Sequence, residues 1–321
     1  MFAEFTFILI ENLINCSMKI LITGGGGMFG YFLNRLLSEK GKILTLYHSE
    51  PGNATQFNCR QIDLADVPAL RSVIKCFQPD VILHAAAISS VADCEQAGRE
   101  KVMNVNVSVS RTIAELCNEQ DIKMFYYSTD LVYGGEQGSF ISEAGKINPK
   151  SLYAESKYLG EIAVRESTDN CTILRTALMI GTTNIGKVNH FGEVLKNLVS
   201  GKAVKLFTDQ FRTPLSLEEA AELTWELIST KESTGVINFG GCDRVSRFEI
   251  GELVCEIGGF NKSLLRGVTM DEFDVTYKVP DVSMNISKLL SIGCTPKTIQ
   301  TQIRRELQRF SSLKGHRGKK K

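Results

Sequence analysis

The stretch that decides the fold is "MKILITGGGGMFGYFL", Met18 to Leu33, in which four consecutive glycines follow an apolar run. Glycine loses more backbone freedom on folding than any other residue, so such a run is costly unless the turn requires it. The apolar run before the glycines has the character of a β-strand, and the apolar residues after them have helical spacing. The stretch therefore predicts a strand, a tight glycine turn and a helix.

The spacing of the glycines indicates what this turn binds. Gly24, Gly27 and Gly30 form a GxxGxxG pattern, with Gly25 and Gly26 as additional glycines. Such a turn brings the backbone close to a pyrophosphate and directs the N–H groups and partial positive charge of the helix N-terminus at it. Because the pattern lies in a βαβ context, it favours dinucleotide binding over a turn that only packs helix on strand.

Composition narrows the class of protein. The 321 residues and the 43% hydrophobic content allow one long α/β domain or two lobes. A net charge of +1 offers no general attraction for nucleic acid or for an anionic membrane, so neither partner is expected. The nine cysteines are scattered without a CxxC pair, which indicates reduced thiols in a cytoplasmic protein and no metal site.

The two ends of the chain differ from the rest. Residues 1–17 contain no lysine or arginine and carry Glu4 and Glu11 around a short apolar core, which argues against a signal peptide or a membrane span. We expect these residues to be an N-terminal extension ahead of the first strand. Residues 314–321, "KGHRGKKK", are expected to be a basic, flexible tail.

Short β-type runs alternate with helical patterns over more than half of the chain. Repeated βα units with short loops predict an α/β fold of the Rossmann type, a doubly wound parallel sheet covered by helices. We expect the dinucleotide-binding domain to span residues 18–181, with returning segments near 215–241. Residues 182–313 are then mainly a smaller, interleaved C-terminal lobe that binds the substrate.

The end of the second predicted strand bears on the choice of cofactor. A carboxylate there would bind the ribose 2′-OH of NAD, but the chain reads "LYHSE", with His48 and Ser49 at the relevant place and Glu50 after them. His48 and Ser49 face a 2′-phosphate in this interpretation, although His48 is equally explained as an exposed loop residue. The pattern favours NADPH and leaves NADH open, because no arginine stands there.

A tyrosine and a lysine provide candidate proton-transfer chemistry. Tyr153 and Lys157 are four residues apart in "SLYAESKYLGE" and hence on one face of a predicted helix. A tyrosine with a pKa of about 10 exchanges protons poorly at neutral pH, and a nearby cation lowers that pKa. The same lysine can hold the nicotinamide ribose. A surface pair is the alternative interpretation of YxxxK alone.

Two polar residues follow the predicted strand "KMFYYST". The hydroxyl of Thr129 is placed to hydrogen-bond a substrate carbonyl and polarise it. Asp130 is placed to contact a sugar hydroxyl or, alternatively, to cap the turn that follows.

The order and spacing of these motifs resemble the extended short-chain dehydrogenase/reductases. The shared features are TGxxGxxG, Asp63-Leu64, the "HAAA" strand end, Asn106, "STD" and YxxxK, and the resemblance extends from Met18 to about Leu313. Shorter members of the superfamily use TGxxxGxG, which this chain lacks at Met28. Within the extended group, "YYSTDLVYGG", "LFTDQFRTP", "INFGGCDRVSRFEIGELV" and "DVSMNISKLLSIG" are similar to dTDP-4-dehydrorhamnose reductases and related sugar-nucleotide reductases.

The resemblance implies roles for the matching residues. The implied cofactor-binding residues are Gly24, Gly27, Met28, Phe29, Gly30, Asp63, Leu64, Ala85, Ala86 and Ala87, with Tyr153 and Lys157. Thr129, Tyr153 and Lys157 would be catalytic, and Asn106 would support the lysine through a water. Asn189, Phe191 and Arg212 would meet the nucleotide sugar. The guanidinium of Arg212 suits a diphosphate, with a structural ion pair as the alternative.

These features favour NAD(P)H-dependent reduction of the 4-keto group of a nucleotide-linked deoxy sugar. A same-superfamily epimerase would hold NAD through an acidic residue after the second strand, and a dehydratase would carry an acidic residue where Leu131 stands. A non-catalytic regulatory subunit resembling the β subunit of methionine adenosyltransferase is the third alternative. A departure from the reductase pattern at Ala92 and in "DQFRTP" leaves the exact sugar open, and a homodimer is left open by analogy.

Overall fold

The computed structural model describes residues 18–183, 185, 188–230, 233–273 and 276–317. The predicted extension at residues 1–17 and the last part of the predicted tail, residues 318–321, lie outside the described residues. The final helix continues to Arg317, so the backbone of residues 314–317 is helical where the sequence predicted a flexible tail.

The strands and helices alternate through the first half of the chain. The strands are β1 (Lys19–Thr23), β2 (Lys42–Tyr47), β3 (Cys59–Gln61), β4 (Val81–His84), β5 (Lys123–Thr129), β6 (Cys171–Thr176), β7 (Met179–Ile180), β8 (Val204–Phe207), β9 (Phe211–Arg212), β10 (Leu215–Ser216), β11 (Gly235–Phe239), β12 (Val245–Ser246) and β13 (Leu265–Val268). The helices are α1 (Met28–Ser38), α2 (Val67–Phe77), α3 (Val91–Ala97), α4 (Arg99–Met103), α5 (Val109–Gln120), α6 (Leu152–Ser167), α7 (His190–Val199), α8 (Leu217–Ser229), α9 (Arg247–Gly258), α10 (Ser287–Ser291) and α11 (Ile299–Arg317).

A seven-stranded sheet confirms the predicted Rossmann-type fold. Its strand order is β11-β6-β5-β4-β1-β2-β3, and β1 pairs in parallel with both β2 and β4. The order in which successive strands join the sheet reverses at the β1–β4 pair: β2 and β3 extend the sheet on one side of β1, and β4, β5 and β6 extend it on the other. In doubly wound sheets, ligands bind beyond the carboxyl ends of the strands at this reversal. The glycine turn after β1 and the alanines after β4 therefore lie where a cofactor is expected.

Local sequence explains why these elements form. The central strands are continuous apolar runs, and Leu21, Ile22 and Leu83 are fully buried, as expected for a sheet covered on both faces. Asp66 is the N-cap of helix α2, its side chain accepts a hydrogen bond from the Ala69 N–H, and Pro68 occupies the first turn. These start signals are local and can be read from the sequence.

Two compact units make up the chain. The first contains the residues up to Tyr127 together with Ser156–Ile173, and the second contains Ser128–Glu155 together with the residues from Leu174 onward. The division falls within β5, α6 and β6. The sequence predicted a limit at residues 181 and 182, with segments near 215–241 returning to the first domain. The segment after β5 belongs to the second unit because it bonds there: Ile141 bridges Met284, and its carbonyl accepts from the Asn238 side chain.

The second unit has its own hydrophobic core. Helices α7, α9 and α11 contribute buried side chains that pack with the β8–β13 pair, among them Leu195, Val254 and Ile303. Two further small pairings, β7 with β10 and β9 with β12, connect the segments around this core. Among the described residues, no helix combines the length and the apolar character needed to cross a bilayer.

Candidate active site

The glycine turn after β1 packs directly against the end of β4. Gly24 has a φ of +73°, which favours glycine, and a Cβ on it would lie 2.8 Å from the Ala86 nitrogen and 2.9 Å from the Ala85 carbonyl carbon. Real Cβ atoms do not approach backbone so closely. Gly24 is therefore required by both the conformation and the space, and it sets the alanines of the "HAAA" strand end beside the turn.

Helix α1 starts with an open N-terminus. Gly27 is the N-cap residue and has no side chain to occupy the first N–H groups, and the first turn carries no acidic residue. The N–H groups at the start of α1, at Met28 and Phe29, are therefore suited to an anionic ligand. The Phe29 ring packs edge-on against Tyr127, with ring centroids 5.0 Å apart.

A carboxamide pair supports the turn from behind. The Asn34 side chain donates to the Gly25 carbonyl and to the Asn53 side chain, both at 2.9 Å. Asn53 in turn donates to the Tyr31 carbonyl at 3.1 Å. Because Asn34 and Asn53 are both buried, these bonds join the turn, α1 and the loop after β2 into one element.

The residues predicted to face the adenosine half of a cofactor lie on exposed loops of the same unit. His48 and Ser49 follow β2 and are exposed. Asp63 is also exposed, and its carboxylate accepts the Ala65 N–H at 2.9 Å, which closes a local turn; Leu64 beside it is half-buried. The proposed contacts of these four residues with a cofactor stay predictions.

His84 forms a buried chain of hydrogen bonds from the glycine turn to α5. Its Nδ1 lies 2.8 Å from the Thr23 hydroxyl, and its Nε2 lies 2.9 Å from the Ser110 hydroxyl. Ser110 donates to the main-chain oxygen of Asn106 at 2.8 Å, so it accepts from Nε2–H, and Thr23 donates to Nδ1. Burial and, to a smaller extent, the positive charge of Lys157 lower the pKa of His84 to about 3, so the ring is neutral.

Asn106 lies in a π-helical turn, Asn104–Ser108, between α4 and α5. Its carboxamide accepts the Ile88 N–H at 2.9 Å and donates to the Ile88 carbonyl and to the Ser156 hydroxyl. The side chain thereby links the loop after β4 to helix α6. The carboxamide's bonds are directed at these partners, so the predicted support of Lys157 through a water stays a prediction.

Lys157 is a buried cation, with 3% of its surface exposed. Burial lowers its pKa to about 7, against the raising effect of Glu161. Its ammonium lies 4.0 Å from the centroid of the Tyr126 ring. Lys157 and the half-buried Tyr153 both lie on α6, one turn apart, as the sequence predicted. The helix therefore presents a phenol and an ammonium on one face.

Thr129 and Asp130 start a 3-10 turn after β5 in the second unit. The Thr129 hydroxyl accepts the Leu131 N–H at 3.3 Å and donates to the Asp130 carboxylate at 3.2 Å. Thr129 is therefore the cap of this turn, the role that the sequence left open for Asp130. A substrate carbonyl would accept the hydrogen bond that the Thr129 hydroxyl now donates to Asp130.

A group of buried charges surrounds Asp130. The second carboxylate oxygen of Asp130 has no hydrogen-bond partner among the described residues and lies 3.6 Å from the Arg212 Nε. Burial raises the pKa of Asp130, although the positive charge of Arg212 lowers it. Burial also lowers the pKa of Arg212. Burial, followed by the charge of Arg212, lowers the pKa of the partly buried Arg247 to about 10. Asp281 also acts on Arg212 and pairs with Arg244, so among the described residues three guanidiniums face two carboxylates and the group carries an excess positive charge.

Part of the Arg212 guanidinium donates hydrogen bonds to main-chain carbonyls. It donates to the Phe211 carbonyl at 2.7 Å and to the Val279 carbonyl at 3.3 Å. The ion pair with Asp130 is the structural alternative that the sequence left open, and binding of a diphosphate by Arg212 stays a prediction.

The other two predicted substrate residues have structural roles. Asn189 is the N-cap of α7, and its side chain accepts the Gly192 N–H at 2.9 Å. Phe191 is 4% exposed and packs in the hydrophobic core of the second unit. Phe191 is thus enclosed by core side chains rather than presented to a ligand, and the sequence did not show this because an aromatic residue at a helix start fits either role.

Sequence reasoning missed His84, Tyr126 and Arg247. Arg247 is the first residue of α9 and lies inside the Ser246–Glu249 capping box, a helix-start signal that was readable from the sequence. Nothing local indicated that its charge lies near Asp130, 117 positions earlier. His84 stood inside the recognised "HAAA" run without a role being assigned to it.

Known proteins resemble this chain along most of its length. Residues 18–312 match the family model of the RmlD substrate binding domain. The probable low-salt glycan biosynthesis reductase Agl14 of Haloferax volcanii is 29% identical over 293 residues, which are 89% of this chain and 96% of that protein. Methionine adenosyltransferase 2 subunit beta of Xenopus laevis is 25% identical over 290 residues, which are 88% of this chain and 84% of that protein.

A solved structure shows the same fold. The structure of dTDP-4-dehydrorhamnose reductase from Bacillus anthracis, in complex with NADP, superposes with a TM-score of 0.80 at 21% identity. The match covers 91% of this chain and 99% of that one. At this identity the likeness establishes the common fold.

Proposed function

We propose that this chain, which belongs to the RmlD substrate binding domain family, is an NADPH-dependent reductase of the 4-keto group of a nucleotide-linked deoxy sugar, of the dTDP-4-dehydrorhamnose reductase type. The observation that carries the proposal is the pairing on α6 of Tyr153 with a buried lysine one turn later. The reductase relative from Haloferax volcanii supports the same class of reaction.

The glycine turn fits a dinucleotide. Gly24 lets the turn pack against the backbone of Ala85 and Ala86, and the N-terminus of α1 is open to a pyrophosphate. His48 and Ser49 would contact the 2′-phosphate of NADPH, and Lys157 the nicotinamide ribose. NADPH, when bound, supplies the hydride, and the protein supplies placement and electrostatic field. The NADP complex of the Bacillus anthracis reductase, which shares this fold, supports the choice of cofactor.

The side chains then deliver a proton to the carbonyl oxygen. The Thr129 hydroxyl exchanges Asp130 for the substrate oxygen and polarises the C=O bond. Tyr153 donates its phenolic proton to that oxygen while the carbon accepts the hydride, which produces an alcohol. The Lys157 ammonium stabilises the phenolate that remains, because an adjacent cation favours the charged form of the phenol.

The excess positive charge around Asp130 suits the diphosphate of a nucleotide sugar. Burial depresses the pKa values of both Arg212 and Arg247, which means that their charges are incompletely compensated. A bound diphosphate would supply the missing negative charge, and arginine is well shaped for phosphate oxygens. The unpartnered oxygen of Asp130 is available for a sugar hydroxyl. A cytoplasmic location and a homodimer stay predictions.

A regulatory subunit is the second candidate, favoured by the similarity to the methionine adenosyltransferase subunit. The epimerase and dehydratase alternatives have less support, since no carboxylate stands at Tyr47, His48 or Ser49 and Leu131 replaces an acidic residue.

One assay separates the reductase from the regulatory subunit. NADPH consumption is followed with dTDP-4-dehydrorhamnose for the wild type, for Tyr153→Phe and for the control Tyr158→Phe on the same helix. Loss of general acid catalysis is expected to lower kcat by about 10²–10⁴-fold in Tyr153→Phe and to leave Tyr158→Phe near wild type. NADPH binding without turnover by the wild type would favour the regulatory role.

A further inference from the structure

Tyr126 is a fully buried residue of β5 that contacts Lys157 at two points. The lysine Nζ lies 4.0 Å from the centroid of the tyrosine ring. The tyrosine hydroxyl donates to the main-chain oxygen of Lys157 at 3.3 Å. One aromatic side chain therefore meets both the charged end of this lysine and its backbone.

We propose that Tyr126 is a positioning residue that keeps Lys157 protonated, through a cation–π contact between its ring face and the ammonium. A cation within about 6 Å of a ring centroid is attracted to the ring face, and more strongly where water is excluded. Both side chains meet that condition, because Tyr126 is fully buried and Lys157 nearly so. The inference rests on the proposed function only for the catalytic use of Lys157.

The other groups around Lys157 show why this contact matters. Burial opposes the positive charge, and Glu161 on α6 supports it. Cys94 on α3 has its pKa raised to about 11 by burial, so near neutral pH it is an uncharged thiol. His84 on β4 is neutral, and Tyr153 is a neutral phenol when it is ready to donate. The Tyr126 ring thus supplements the Glu161 carboxylate in keeping Lys157 protonated.

The packing holds the ring in this orientation. The His84 ring lies 5.8 Å from the Tyr126 ring, centroid to centroid. On the α6 side, Gly160 leaves room for the tyrosine hydroxyl, which a Cβ at that position would meet. Tyr126 is therefore confined between the hydrogen-bonded histidine of β4 and a glycine of α6, which leaves its face toward the ammonium.

The decisive experiment weakens the ring face without changing its shape. Tyr126→Phe and phenylalanine analogues carrying one, two or three fluorines are introduced at position 126, with Tyr126→Leu as the variant that has no ring. The pKa of Lys157 is measured in the unliganded full-length chain by NMR titration of ¹³C-labelled lysine, and Lys157→Met identifies the signal. The same fluorinated series at Phe125, whose ring lies 5.7 Å from the Lys123 ammonium, is the matched control.

We expect the pKa of Lys157 to fall steadily with each fluorine at position 126, by about one unit over the series and in Tyr126→Leu. The Phe125 series should leave it unchanged. A pKa that does not respond to fluorination at position 126, or that responds equally to fluorination at position 125, overturns the proposal. If Tyr126→Leu does not fold, the fluorinated series alone decides, because its members are nearly isosteric.

Enzyme kinetics adds a readout that a purely structural role would not move. Where turnover is observed, the alkaline limb of kcat should shift to lower pH by the same amount as the pKa of Lys157. A lower kcat with an unmoved limb, together with an unmoved pKa, would reduce Tyr126 to a packing residue. Failure of the proposed function is separate: it would appear as absent turnover by the wild type, while the NMR titration would still test the contact.

Discussion

Alanine substitutions in the glycine turn should have unequal costs, because a Cβ meets different atoms at each position. At Gly24, the left-handed φ of +73° costs ~1–2 kcal/mol for a residue with a side chain. The Cβ would also lie 2.8 Å from backbone of Ala86, and overpacking of this kind costs ~1–3 kcal/mol. Gly24→Ala should therefore lower the free energy of unfolding by ~2–5 kcal/mol.

Gly30 and Gly27 have ordinary helical or extended backbone, so only space distinguishes them. A Cβ on Gly30 would meet the Gly24 carbonyl oxygen most closely and would lie 2.7 Å from the Gly25 Cα and oxygen, and this crowding is partly offset by ~1 kcal/mol of helix propensity. Gly30→Ala should cost ~1–2 kcal/mol after this offset. A Cβ on Gly27 would meet only the Gly24 oxygen at 3.3 Å, so Gly27→Ala should change stability by less than ~0.5 kcal/mol.

Urea unfolding and NADPH titration of the three variants test this order. Gly27→Ala should keep its stability but bind NADPH at least ~10-fold more weakly, since its Cβ stands at the open N-terminus of α1, and tenfold corresponds to ~1.4 kcal/mol. Gly98→Ala is the control for backbone strain alone, because Gly98 has a φ of +81° and no atom within 4 Å of the added Cβ. Equal stability losses at Gly24 and Gly27, or unchanged NADPH binding by Gly27→Ala, would refute the reasoning.

Two further predictions concern the buried cations. The pKa of Lys157 is lowered from 10.5 to about 7 on folding, so between these values the unfolded chain binds more protons and stability should rise with pH. Lys157→Met should therefore be more stable than the wild type at pH 6, by an amount that shrinks as the pH rises toward 10. Denaturant unfolding at several pH values measures the difference in the free energy of unfolding. A difference that stays constant with pH would contradict the prediction. With NADPH saturating the glycine turn, inorganic pyrophosphate should raise the Tm of the wild type and raise that of Arg247→Met much less. Arg244→Met is its control, because the guanidinium of Arg244 is already paired with Asp281 at 2.8 Å, and an equal loss in both variants would argue against a diphosphate site at Asp130.

The sequence by itself determined the order of the elements and the chemistry of the turn. Gly24, Gly27 and Gly30 could be assigned because their spacing between a strand and a helix is a local pattern, and the Tyr153–Lys157 pair because a helix places residues four apart on one face. The start of α2 at Asp66 and Pro68 was readable for the same reason. Each of these features depends on atoms a few residues apart along the chain.

Tertiary structure alone decided which side chains meet. The Tyr126 ring and the Lys157 ammonium are 31 positions apart. Arg212 and Arg247 come from separate segments, and the overall net charge of +1 gave no indication that their charges lie close together. Phe191 entered the core although its sequence context also fitted a ligand contact. The physical reason is that burial and electrostatic compensation are set by packing between distant segments: pKa values such as those of His84 and Lys157 depend on how much water that packing excludes.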